Sequence, residues 1–267
     1  MTSGTGFIDV ADGRLHYTRS GGGSPVLLMH PLALSGAVWG EFAERLATRF
    51  DVIALDARGH GGSTWSRRPL TVPDFAEDAR AVLDALGLAQ AAVVGMSMGG
   101  SIALQLAAAY PERVSRLFLA DTTAWYGPEA PLRWAERADR VLAQPRSAQV
   151  PFQVDRWFTK PFPNRHPELV RSVVRVFLET DSVVHASACR ALGEMDTRAL
   201  LGAITAPTVV VTGAEDHATP PEMATTIALG IRDARAEVLP GLRHLSLIER
   251  PALADMVTAH MTGAEVG

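Results

Sequence analysis

Apolar and polar residues alternate twice near the start of the chain, over Phe7 to Val10 and Leu15 to Arg19, on either side of Asp12-Gly13. A period of two around a turn dipeptide predicts a hairpin. Gly21-Gly22-Gly23-Ser24 then reads as a flexible turn. From there the pattern changes. PVLLMH (Pro25 to His30) and DVIALD (Asp51 to Asp56) are unbroken apolar runs, the form taken by strands covered on both faces. Short runs recur at Ala91 to Val94, Arg116 to Ala120, Thr208 to Thr212 and Ala236 to Leu239. Between them apolar residues fall at helical spacing over Ala37 to Phe50, over Pro73 to Leu86 and through SIALQLAAAY after Ser97, and a helix over Pro251 to His260 closes the pattern. Strands alternating with helices predict an α/β fold: a parallel sheet with helices on both faces, and ligands at the carboxyl ends of the strands.

One interval breaks the alternation. Between Asp121 and Pro207 the periodicity is helical, no convincing strand appears, and prolines at 128, 131, 145, 151, 161, 163 and 167 punctuate it. That is too long for a loop in a compact domain, so a helical insertion folded over the sheet edge is expected. The expected division is a core over 1–122, a cap over 123–204 and the rest of the core over 205–267.

Composition narrows the function. With a formal charge of −4 and no Lys/Arg block, neither nucleic acid nor an anionic membrane is an expected partner; a small molecule is. No apolar run approaches the ~20 residues of a membrane span. The N-terminal stretch shows neither the basic nor the apolar region of a secretion signal. A single cysteine, Cys189, suits a reducing cytoplasm, and in the helix-like HASACRALGEM it reads as core packing.

Candidate chemistry centres on AAVVGMSMGG, Ala91 to Gly100. Here a G-x-S-x-G lies between a strand-like run and a helix-like one, the context in which this motif forms a nucleophile elbow at Ser97. A serine hydroxyl needs a base within hydrogen-bond reach, and the base needs an acid to orient it. The loops after the last two predicted strands supply Gly213-Ala214-Glu215-Asp216 and Pro240-Gly241-Leu242-Arg243-His244. His244 is favoured as base over His217, and Asp216 as acid over Asp121 and Glu215, which also sit near strand ends. Asp56, in DARGHGGS, reads as part of a structural turn. The oxyanion donors are expected to be the backbone N–H of Met98 and that of Leu32 in the loop after PVLLMH; Pro31 has none to give. The Gly21-to-Ser24 run lacks the spacing of a phosphate-binding loop.

GMSMGG, DARGHGGS, GAEDHATPP and LPGLRHLSLIERP together resemble the α/β-hydrolase fold across essentially the whole chain. Within it the sequence is most similar to the 3-oxoadipate enol-lactonases of aromatic catabolism: W-x-x-R at Trp134 and Arg137, DRWFT at Asp155 to Thr159, and CRALGEMDTR carry that likeness. The resemblance implies a mostly parallel eight-stranded sheet with a helical cap inserted after the sixth strand. It further implies a serine hydrolase without metal or cofactor, acting on a lactone or ester through Ser97, Asp216 and His244. It departs from many hydrolases in having His30-Pro31 where they have His-Gly. An enol-lactone of this kind carries a carboxylate. Trp134 and Arg137, three apart on a helix-like stretch, share a face and are the expected substrate contacts, with Arg137 on the carboxylate.

Overall fold

The computed structural model describes residues 2–264; Met1 and Glu265 to Gly267, at the outer ends of the two expected core segments, lie outside it. The opening alternation becomes β1 (Thr2–Val10) and β2 (Gly13–Gly21), antiparallel, with Val10 opposite Gly13. The apolar runs become β3 (Pro25–Met29), β4 (Asp51–Leu55), β5 (Ala91–Met96), β6 (Val114–Ala120), β7 (Thr208–Gly213) and β8 (Ala234–Leu239). All lie in one eight-stranded sheet of order β1-β2-β4-β3-β5-β6-β7-β8. It is parallel from β4 to β8 and antiparallel at β1, β2 and β4. Strands β4, β5 and β7 are buried at every position, as helices on both faces require; β8, at the edge, is mostly exposed.

Three local expectations are corrected. Gly21 belongs to β2 rather than to a flexible turn: its φ of +89° is open to glycine, and a Cβ there would stand 2.2 Å from the Phe50 carbonyl oxygen. The helix expected over Ala37 to Phe50 is a 3₁₀ turn, Gly36–Trp39, followed by α1 (Gly40–Ala47), because Gly40 at φ +36°, ψ −124° breaks the hydrogen-bond ladder between them. The closing helix divides likewise into a 3₁₀ turn at Pro251–Leu253 and a later α-helix. Hydrophobic periodicity sees neither break.

Helix α2 (Val72–Ala85) starts at a reciprocal cap, in which Thr71 Oγ1 accepts the Asp74 N–H and the Asp74 carboxylate accepts the Thr71 N–H. Helix α3 (Met98–Ala109) follows β5 directly. Between β6 and β7 stand α4 (Ala130–Ala143), α5 (Arg146–Trp157), α6 (Phe162–Arg165), α7 (Pro167–Glu179) and α8 (Ser182–Gly193). The sole strand-like contact among the described residues of this interval is an isolated bridge, Trp125 to Asp196. Helix α4 packs along α8, close enough that a Cβ on Gly193 would meet the Trp134 Cβ at 2.7 Å. Cys189 is fully buried in α8. Helices α9 (Pro221–Gly230), α10 (Ser246–Glu249) and α11 (Ala254–Thr262) complete the chain. No helix among the described residues is long and apolar enough to cross a membrane.

Candidate active site

The central strands β3 and β5 are neighbours, yet the chain leaves them in opposite directions across the sheet, which opens a crevice at their carboxyl ends. Ser97 stands there. It connects β5 to α3 with φ +56° and ψ −122°, a region closed to most side chains. What holds it is specific: the Ser97 N–H donates to the Ala120 carbonyl at 2.9 Å, and Thr122 Oγ1 donates to the Ser97 carbonyl at 2.7 Å. The glycines around it are small because backbone lies against them. A Cβ on Gly95 would come 2.5 Å from the Gly99 carbonyl oxygen, and one on Gly99 2.0 Å from that of Met29. Gly99→Ala is therefore expected to push α3 off β3, lowering Tm by about 5 °C or more and cutting the amount of active enzyme. A melting curve unchanged from wild type would show that the turn has room that the geometry denies.

His244, in the loop after β8, reaches Ser97: its Nε2 lies 2.8 Å from Ser97 Oγ. Its Nδ1 lies 2.8 Å from Asp216 Oδ2, in the loop after β7. Asp216 Oδ1 accepts the N–H groups of Ala218 (2.7 Å) and Thr219 (3.1 Å), while Oδ2 also accepts the Thr219 hydroxyl at 2.7 Å. Burial alone would raise the Asp216 pKa. The facing His244 charge and these donors outweigh it and hold the carboxyl at about 2. An ionised Asp216 keeps the imidazole proton on Nδ1, so Nε2 is free to accept the serine proton. All three side chains are buried.

The rival carboxylates do other things. Asp121 is fully buried, but it accepts the N–H groups of Gly213 (3.1 Å) and Ser246 (2.9 Å) and so ties the acid loop to the histidine loop. Burial, then the charge of Asp216, raises its pKa well above the ordinary range. Asp56 accepts from the Gly36 and Gly62 N–H groups and pairs with the His16 ring, the structural turn that its sequence suggested. His217 is exposed.

Met98 opens α3, so its N–H is a first-turn donor without an intrahelical acceptor. Leu32 lies in the loop after β3, and among the described residues no backbone acceptor takes its N–H. That loop is pinned by His30, whose Nδ1 lies 2.7 Å from the Pro31 carbonyl and whose Nε2 accepts the Ala57 N–H at 2.9 Å. Burial lowers the His30 pKa, which keeps the ring neutral and able to do both. The sequence reading missed His30 and Thr219; the Thr three residues after Asp216 was the available signal, since Asp side chains commonly take donors from that position.

The family model described as alpha/beta hydrolase fold matches residues 24–251. The chain belongs to this family. It is 32% identical over 226 residues to 3-oxoadipate enol-lactonase 2 of Acinetobacter baylyi, covering 85% of this chain and 84% of that protein. The enol-lactonase of Burkholderia xenovorans LB400 superposes with a TM-score of 0.91 at 30% identity, over 96% of this chain and 100% of that one. A malate-bound thermophilic esterase of Thermogutta terrifontis superposes at 0.90 with 27% identity, over 97% and 98%.

In this hydrolase the helices between β6 and β7 are fastened both to the loop after β3 and to the segment after β8. Thr180 Oγ1 donates to the Ala33 carbonyl at 2.9 Å, on the loop that carries Leu32. On the other side the Leu245 N–H donates to the Trp157 carbonyl at 3.1 Å, and Glu249 accepts the Thr159 N–H at 3.0 Å and its hydroxyl. Trp134 is buried in α4 against Tyr126, ring centroids 4.9 Å apart and edge to face. Arg137 lies 4.9 Å over the Trp134 ring, so the shared face read from the i, i+3 spacing is real. Among the described residues no three His, Cys, Asp or Glu side chains gather as a metal site would. A cavity of about 720 Å³ opens by Arg116, Thr208 and Ala234, at the amino ends of β6 to β8, the sheet edge away from Ser97.

Proposed function

We propose that the protein is a serine hydrolase that opens a lactone ring, with 3-oxoadipate enol-lactone as substrate and 3-oxoadipate as product. The observation that carries this is the unbroken chain from Ser97 Oγ through His244 to Asp216, each link 2.8 Å. Ser97 Oγ attacks the lactone carbonyl as its proton passes to His244 Nε2, and the N–H groups of Leu32 and Met98 hold the oxyanion. Collapse breaks the ring C–O bond. His244 returns the proton to the departing enol oxygen, which stays tethered because it belongs to the same molecule as the acyl group. Water, deprotonated by His244, then attacks the acyl carbon; as the bond to Ser97 Oγ breaks, His244 passes that proton to Oγ, and the enol tautomerises to the ketone. The helices of residues 123–204 act as the cap over this site. Trp134 packs on the apolar ring, and Arg137 belongs to the substrate's carboxylate end. The single, buried Cys189 suits work in the cytoplasm on a small molecule.

The similarity to enol-lactonases over most of the chain supports the lactone reading. A second reading, a carboxylesterase on the same triad, is favoured by the likeness to the Thermogutta esterase, whose bound malate is itself a dicarboxylate. Purified protein mixed with 3-oxoadipate enol-lactone decides between them, followed as loss of the enol-lactone absorbance. Under the lactone reading kcat/KM is roughly 10⁴ M⁻¹s⁻¹ or more and well above that for 4-nitrophenyl acetate. A lactone rate no higher than the aryl-ester rate would leave the esterase reading in its place.

A further inference from the structure

A guanidinium drawn into protein without a counter-charge is costly, and the cost is relieved when an anion arrives. Arg156, in the last turn of α5, is such a group. Among the described residues it has no ion pair and no hydrogen-bond partner. Two other arginines of this region do have acceptors: Arg146 donates to the Phe177 carbonyl, and Arg243 to Asp155. Arg156 keeps some contact with water, yet the protein closes round it enough that burial, followed by the charge of Arg137, lowers its pKa to about 10.

Its position is fixed from both sides. Asp155 accepts from Arg243 at 3.1 Å and the Trp157 carbonyl accepts from Leu245, so the last turn of α5 runs directly alongside His244. Arg137 of α4, Tyr126 in the segment before it, Asp216 in the acid loop and Cys189 of α8 all lie near enough to bear on the Arg156 charge. Tyr126, Arg137 and Arg156 each retain partial exposure. Asp216 does not need Arg156. Its two oxygens already take two N–H groups, a hydroxyl and the imidazole.

We infer that Arg156 is the principal anion-binding residue of this site, seconded by Arg137, and that together they take a carboxylate borne by the substrate a few bonds from the scissile ester. The inference rests on Ser97 being the nucleophile of an ester- or lactone-opening enzyme, and it deepens that reading. The substrate class is then an anionic lactone or a half-ester of a short dicarboxylic acid. The planar fork of Arg156 is free to meet a carboxylate with two hydrogen bonds; Arg137, already stacked on Trp134, adds charge from the flank.

The test compares mono-4-nitrophenyl glutarate with 4-nitrophenyl valerate, an ester of similar length without the carboxylate. Arg156→Gln is expected to raise KM for the glutarate ester by about 10- to 100-fold, at least tenfold more than for the valerate ester. Arg156→Lys should recover part of the loss, and Arg137→Ala should show the same preference more weakly. Arg133→Ala, on the exposed side of α4 in an ion pair with Glu129, should leave both esters as in wild type. Free glutarate provides a readout that needs no turnover: calorimetric binding to wild type should be lost in Arg156→Gln and partly kept in Arg156→Lys. Equal losses on the two esters, or undiminished glutarate binding in Arg156→Gln, would overturn the assignment. If neither ester is hydrolysed and Ser97 takes no fluorophosphonate, the catalytic reading fails alone; glutarate binding lost with Arg156 would still uphold the anion site.

Discussion

Replacing Ser97 by alanine is expected to lower kcat by roughly 10⁴- to 10⁶-fold, with the fold intact and no uptake of a fluorophosphonate label. The size follows from how the site is built. The hydroxyl is a weak nucleophile until Nε2 of His244, 2.8 Å away, takes its proton. On the proposed mechanism no acyl-enzyme forms without Oγ, and what remains is the field of the Leu32 and Met98 N–H groups acting on water. His244→Ala should fall nearly as far, and the double variant no further, because the two residues perform one step. Intact-protein mass spectrometry and single-turnover kinetics check both. A Ser97→Ala protein that kept a tenth of the wild-type kcat would remove the serine from the chemistry.

The elbow was legible because everything that makes it is local. Strand, tight turn and helix follow within a few residues, and the small residues stand where the close approach of Met29 and Gly99 carbonyls forbids a Cβ. The sheet was legible for a related reason: strands covered on both faces must be apolar throughout, and β4, β5 and β7 are. The strand's continuation through Gly21 and the break at Gly40 were not, since a hydrophobic pattern carries no record of φ. The choice of acid needed spatial information. Asp121, Glu215 and Asp216 all sit at one sheet edge, and only a contact made across 28 residues of chain shows which carboxylate faces the imidazole. Arg156 stood in the quoted DRWFT stretch, but nothing there marked it as unpaired. An arginine in a polar stretch of helix reads as a solvated face, and lacking a partner is a property of the fold, visible only once every neighbour is in place.

On the proposed mechanism one buried aspartate is the acid and the other scaffold, and they should fail in different ways. Asp216→Asn keeps an oxygen for the Ala218 and Thr219 N–H groups but can set an amide donor against His244 Nδ1–H. The ring then shifts its proton to Nε2 to relieve the clash, and the nitrogen facing Ser97 can no longer accept. A kcat loss of about 10³- to 10⁴-fold is expected, with KM little changed. The same carboxyl is held at about 2 in the folded protein and titrates near 4 when unfolded. Its stabilisation is thus present above the unfolded value and is lost as pH falls toward 2, so Asp216→Asn should flatten the acid limb of the stability curve. Asp121→Asn is different. Both of its oxygens accept backbone N–H groups, from Gly213 and Ser246, and an amide can accept only one of them. Leaving a buried donor unpaired costs about 1–3 kcal/mol, read as a lower denaturation midpoint in urea, while kcat should fall far less than in Asp216→Asn. Denaturation and steady-state kinetics on the same two preparations test the pair. A larger kcat loss at Asp121 than at Asp216 would make Asp121 the acid and leave the hydrogen bond at His244 Nδ1 without its assigned part.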